Sequence, residues 1–173
     1  MPTPLSAEIA STTARLVVEE GLEWGPAKRR AVRQLGLPAR TPLPDNDEVE
    51  DAVREYIALF CADTQPRELR ALRQLALVWM ERMSAFRPHL GGAVWRGTAT
   101  RLSDIYLQLF CDDSKSAEIA LIDHRVDYEP RTVPGFHGDS VEALSVGSKC
   151  PELGEMIGVH WDVFQSTFAI AGE

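Results

Sequence analysis

Apolar residues recur every three to four positions through most of the first 87 residues, and every second position in much of the remainder. These are the periods of a helix face and of a strand face. "SAEIASTTARLVVEEGL" carries Ile9, Thr13, Leu16 and Val17 on one stripe, with Ser6 in the place of an N-cap and Gly21 as the stop. "GPAKRRAVRQLGL" predicts a second helix, with Pro26 in its first turn and Gly36 after its end. Three prolines in residues 38–47, "PARTPLPDND", predict an extended linker. "DEVEDAVREYIALFCAD" opens on acids, where a helix dipole favours them, and its apolar face is Val49, Val53, Ile57 and Phe60. After Thr64, a candidate cap, "QPRELRALRQLALVWMERMSAF" places Leu69, Leu72, Ala76, Trp79, Met80 and Met83 on one stripe. Arg70 and Arg73 lie off it, so the stripe is expected to be core.

Beyond Pro88 the pattern changes to strands. "DIYLQLF" and "IGVHWDVFQ" run at strand length, and "DYEPRTV" and "VEALSVGSK" are shorter candidates joined by the turn-rich "PGFHGDS". Between the first strand and these lies a short helix, "SKSAEIALIDHR", with Asp113 as its candidate cap. The chain therefore reads as α+β: an N-terminal helical region over residues 1–87 and a small mixed sheet with helix over residues 88–173. No internal repeat or low-complexity segment interrupts it.

Charge and cysteine content narrow the function classes. The net charge is −8, divided between +1 over residues 1–101 and −9 over residues 102–173. An acidic sheet region makes nucleic acid an unfavoured partner. Lys28, Arg29, Arg30 and Arg33 are read as the solvated face of a helix, with an RNA contact as the lesser alternative. Cys61, Cys111 and Cys150 are widely spaced and odd in number, which indicates neither a disulfide framework nor a zinc site. No run of 18 apolar residues and no basic, apolar leader is present, so a cytoplasmic protein without membrane insertion is expected. The four histidines show no metal-ligand spacing, and no nucleophile motif such as G-x-S-x-G supports a Ser-His-Asp site.

Candidate chemistry concentrates in "GGAVWRGTATRLSDIYLQLF", residues 91–110. Gly92 permits close approach of backbone to a ligand. Arg96 can pair with phosphate, and Thr98 and Thr100 add hydroxyls. Strand alternation then places Asp104, Tyr106 and Gln108 on one face and Ile105, Leu107 and Leu109 on the other. In "IGVHWDVFQ" the same alternation turns His160 and Asp162 away from Val159, Trp161 and Val163.

Gly92-Ala93, Arg96-Gly97, Ala99-Thr100 and Ser103-Asp104-Ile105-Tyr106-Leu107 resemble, without gaps over about 16 residues, the motif of minimal nucleotidyltransferases. That motif is a glycine-serine turn, a loop containing Arg-Gly and Ser-Asp-hydrophobic-Asp on the next strand. More broadly, residues 7–165 resemble a proteobacterial family with a nucleotidyltransferase-like core whose members have carried the label UDP-N-acetylmuramate–alanine ligase. That ligase activity is rejected, because the chain has no G-x-x-x-x-G-K-[ST] loop and is too short for three domains.

The resemblance implies a small mixed sheet of nucleotidyltransferase type that binds a nucleoside triphosphate or another phosphorylated molecule. Gly92, Ala93, Arg96 and Thr98 would hold phosphate. Asp104 and Asp162 would be the catalytic carboxylates and the ligands of a Mg2+ cofactor, with Asp127 as the second choice for the later strand. Two departures limit the activity: Ala93 replaces the serine and Tyr106 replaces the second aspartate. A neutral phenol is a poor ligand for a hard cation. Asp104 as a strand-start residue bonded to its own backbone, and Asp162 as a plain exposed strand residue, stand beside the metal reading. A catalytically inactive, antitoxin-like protein with a protein partner is the alternative function.

Overall fold

The computed structural model describes residues 2–113, 115–135, 138 and 140–165. Phe136, His137 and Asp139 of the "PGFHGDS" turn, and the terminal "STFAIAGE", lie outside these. The elements run α1 (Pro4–Glu20), α2 (Trp24–Gln34), α3 (Asn46–Phe60), α4 (Gln65–Arg82) and a 3-10 turn (Ser84–Phe86). They continue with β1 (His89–Gly91), α5 (Gly92–Arg96), β2 (Ile105–Cys111), α6 (Ser116–Asp123), β3 (Glu129–Pro134), β4 (Ser140–Cys150) and β5 (Glu155–Gln165). The fold is α+β, with helices at the N-terminus followed by a five-stranded mixed sheet. No described helix is long and apolar enough to cross a membrane.

The chain forms two units, Met1–Arg67 with Thr100–Leu102, and Glu68–Ala99 with Ser103–Glu173. In the first, α1 uses two faces. Ile9 and Leu16 pack with Ala27, Ala31 and Val32 of α2, while Ala14 and Val18 pack with Val49, Val53 and Ile57 of α3. The cap of α1 is Thr3, whose hydroxyl accepts from the Ser6 N–H at 3.1 Å. Ser6, expected in that role, instead donates its hydroxyl to Glu48. Two prolines explain the early start: Pro2 precedes the cap, and Pro4 takes the first-turn position that needs no N–H. Gly21 closes the helix at φ 70°, and a Cβ there would stand 3.0 Å from Leu102 Cβ. Asp45, at the end of the proline linker, caps α3 through the Glu48 N–H at 2.8 Å. Phe60, expected on the apolar face of α3, is 70% exposed. It lies at the last turn, beyond the buried Ile57, and its ring meets that of Tyr56 at a tilt of 45° instead.

In the second unit the strand order is β1-β2-β5-β4-β3, with β2 and β5 parallel and the other pairs antiparallel. β3 carries Pro130 and Pro134, which an edge strand tolerates. One sheet face is core: Ile105, Leu107, Leu109, Leu144, Val159 and Trp161 pack with Leu72, Ala76, Trp79 and Met83 of α4 and with Ala117 and Leu121 of α6. The stripe of α4 read from the sequence is therefore buried against this sheet. Trp79 meets Trp161 edge-on at 5.2 Å and donates its indole N–H to Ser148 Oγ at 2.9 Å.

At the margin of this core two carboxylates meet. Glu118 of α6, 8% exposed, accepts from Lys115 Nζ at 2.9 Å and from the Tyr128 hydroxyl at 3.2 Å. The bond from Lys115 holds the Glu118 carboxyl below the usual range, whereas burial and then the Glu118 charge push Glu142 up. A carboxyl raised on folding binds its proton more readily in the native state, so ionised Glu142 opposes folding at neutral pH. Glu142→Gln should therefore raise the thermal midpoint at pH 7 by about 1–3 °C. That advantage should shrink as the pH falls from the raised Glu142 range towards the ordinary glutamate range, and be gone below it. Thermal unfolding of both proteins at pH 7 and pH 4 checks this, and a lower midpoint at pH 7 contradicts it.

Candidate functional site

The second face of the sheet carries the chemistry. Register places Gly91, Tyr106, His160, Ser145 and Glu129 in one row across all five strands. The next row is His89, Gln108, Asp162, Ala143 and Arg131. Alternation alone places Asp104, Tyr106, His160 and Asp162 on such a face, and the register shows which of them adjoin.

Asp104 immediately precedes β2, and its Oδ2 accepts from His160 Nε2 at 2.8 Å. His160 Nδ1 lies 2.7 Å from Ser145 Oγ on β4. An ionised carboxylate offers no proton, so Nε2 carries the hydrogen, and in the neutral ring Nδ1 accepts from the serine hydroxyl. Gly158 makes room for this arrangement. A Cβ at that position would stand 2.7 Å from Asp104 Oδ2 and 3.0 Å from Oδ1. The Asp104 side chain is 42% exposed and that of His160 is 18% exposed, so ligand can reach the carboxylate while the imidazole is held. Three strands thus build a Ser-His-Asp chain, an arrangement against which the absence of a nucleophile motif argues. Alternation gives the face of His160, but only the register reveals Ser145 as its neighbour.

Tyr106 stacks on His160 with ring centroids 5.0 Å apart and planes at 26°. On its other flank stands the glycine turn. Gly92 has φ 67°, and a Cβ there would lie 3.3 Å from the Tyr106 ring. The missing side chain of Gly92 therefore accommodates the Tyr106 ring. The turn itself leads into α5, whose last carbonyls are held by Arg73: Nε donates to Val94 O at 3.0 Å and Nη2 to Trp95 O at 3.2 Å.

The expected phosphate residues are only partly brought together. Gly92 and Ala93 open α5, and Arg96 is exposed in its last turn. Thr98 is buried at 5% exposure, and its hydroxyl has no hydrogen-bond partner. Asp104 and Asp162 are also separated. Asp104 lies over Gly158, four residues before Asp162 on the same strand, which is about 13 Å of extended backbone. His160 stands between them. Asp162 is half-buried, and burial pushes its carboxyl up against the opposing pull of His160 and Arg131. Among the described residues no group of three or more His, Cys, Asp or Glu side chains is placed to hold a metal ion. The donor set does not offer Mg2+ the several hard oxygens it needs, and no step through a metal is derived.

Two of the four cations of the α2 cluster have partners: Lys28 donates to Asn46 Oδ1 at 2.8 Å, and Arg30 pairs with Glu20. Cys111 and Cys150 are buried free thiols, and Cys61 is half-buried. Comparison with protein-family models, with curated proteins and with solved structures gives no match.

Proposed function

We propose that this chain is a nucleotidyltransferase-like protein whose exposed sheet face binds a nucleotide or another phosphorylated small molecule and which does not transfer nucleotidyl groups. The observation that carries the reading is the position of Asp104. It stands at the exposed start of β2, beside the Gly91-Gly92 turn, with Asp162 on the parallel neighbour β5 and the same face. The glycine turn beside the strand start supports the reading, while the two carboxylates that the resemblance would join on one metal ion stand apart. Phosphate would meet the Gly92-Ala93 turn and Arg96, and Arg131 adds a cation on the sheet face. Transfer is absent because Tyr106 supplies no second carboxylate and Asp104 is already engaged by His160.

Isothermal titration with ATP, GTP, CTP and UTP tests this. Binding of at least one is expected, with a loss of about tenfold on Arg96→Ala, the size of one charge-assisted phosphate contact. No heat with any of the four overturns the proposal. The filling of the Gly92 turn by Tyr106 favours a second reading, a scaffold for a protein partner of antitoxin type. Under that reading the same titrations are silent.

A further inference from the structure

We propose that Ser145, His160 and Asp104 form a nucleophile, a general base and a positioning carboxylate that cleave small neutral carboxylic esters through an acyl-serine. The inference does not rest on phosphate binding and stands or falls separately from it. Its geometry is a continuous chain of two hydrogen bonds, Ser145 Oγ to His160 Nδ1 at 2.7 Å and His160 Nε2 to Asp104 Oδ2 at 2.8 Å. The roles are those of a serine–histidine–aspartate triad with the two ring nitrogens exchanged, and such triads are recognised by geometry rather than by chain order.

Three features show a site shaped around these groups. Gly158 lacks the Cβ that would collide with the Asp104 carboxylate. Tyr106 stacks on the imidazole and limits its rotation. Ser145 is flanked along the same face of β4 by Ala143 and Gly147, and the missing Gly147 side chain makes room for Met156, whose Cε lies 3.2 Å from where a Cβ would stand.

The charges around Ser145 define the substrate. Glu129 stands directly opposite it on β3, so a carboxylate-bearing acyl group is repelled and a neutral one is accepted. Arg131, one row along on the same strand and face, is the cation available to a developing oxyanion. Asp104, Tyr106, Asp162, His89 and Lys149 are the other ionisable groups whose positions share the face with His160.

In the first half-reaction the Ser145 Oγ–H bond breaks, its proton passes to His160 Nδ1, and Oγ bonds to the ester carbonyl carbon. The carbon–oxygen bond to the alcohol then breaks, and the alcohol leaves with the proton from Nδ1. In the second half-reaction water gives a proton to Nδ1 and its oxygen bonds to the acyl carbon. Ser145 Oγ leaves and recovers the proton. Ester and water become acid and alcohol, with no other reactant.

The test is labelling of the full chain with an alkyl fluorophosphonate, followed by intact mass and peptide mapping, alongside hydrolysis of p-nitrophenyl acetate. One adduct is expected, on Ser145, absent in Ser145→Ala. It should form at least about a hundredfold more slowly in His160→Ala, the contribution typical of a general base. Gly158→Ala, which displaces the Asp104 carboxylate without altering the three groups, should slow labelling about tenfold, equivalent to one weakened orienting bond. A downfield proton resonance from His160 Nε2–H should be present in the wild type and lost in Asp104→Ala, which reports positioning rather than folding. Should His160→Ala fail to fold, Ser145→Cys supplies an independent reading. Its thiol should react with iodoacetamide faster than Cys61. No adduct on Ser145, a rate unchanged by His160→Ala, or a thiol at position 145 no faster than Cys61 overturns the proposal.

Discussion

Trp161→Ala should lower the unfolding free energy by roughly 3–5 kcal/mol, the range for deleting a large aromatic from a packed core. Trp161 is 0% exposed, lies on β5 between the neighbours Leu107 and Leu144, and meets Trp79 edge-on. The same residue offers its own control. Its indole N–H is buried without a partner, so the polar atom contributes a penalty rather than a bond. Trp161→Phe gives up volume but removes that penalty, and should cost less than about half as much as alanine. Urea unfolding of the three proteins at a common slope measures the differences. A loss below about 1 kcal/mol for alanine would contradict the assignment of this tryptophan as the centre of the sheet core.

Tyr106→Ala should tighten binding of a triphosphate at the Gly92 turn by about tenfold or more, or about 1.4 kcal/mol. The ring stands where a Cβ on Gly92 would come within 3.3 Å, so it fills the space that a glycine leaves for a ligand. Removing it opens the turn N–H groups to phosphate. The accompanying stability loss is expected to be small, because Tyr106 is 40% exposed. Titration with inorganic triphosphate and with ATP, on wild type and variant, reads the effect. Equal or weaker binding by the variant shows that the tyrosine belongs to the ligand site instead of obstructing it.

Helices α1–α4 and α6 and strands β2–β5 were legible because their apolar periods are regular, whereas β1 and α5 are too short to show a period and fall in a stretch read as a turn and loop. Leu72, Ala76, Trp79 and Met83 follow the helical period and are buried, and Val159, Trp161 and Val163 alternate and are buried. The capping of α1 by Thr3 was obscured by two candidate hydroxyls at the start of the chain, where Pro4 decides between them. Phe60 shows the limit of periodicity at a helix end, where the stripe outlasts the surface that covers it.

The site was legible only one strand at a time. Alternation gives the face of His160 and of Asp104, but the pairing of β2 with β5 and of β5 with β4 comes from long-range register, which no local pattern encodes. Ser145 lies in "VEALSVGSK" without any motif around it, and Gly158 has meaning only when the Asp104 carboxylate is seen above it. Thr98 was placed among the phosphate residues by its spacing in the loop, yet the chain turns it inward after Gly97.

The proposal is that the exposed sheet face takes a phosphorylated ligand without a metal, because the Asp104 carboxylate is committed to His160. The most direct measurement is the titration of the wild type with the tightest-binding of the four nucleoside triphosphates, once in Mg2+ and once in EDTA, repeated on Asp104→Ala. Binding is expected to differ by less than about threefold between the two buffers and to survive the substitution. Binding that requires Mg2+ and disappears with Asp104→Ala would contradict the claim.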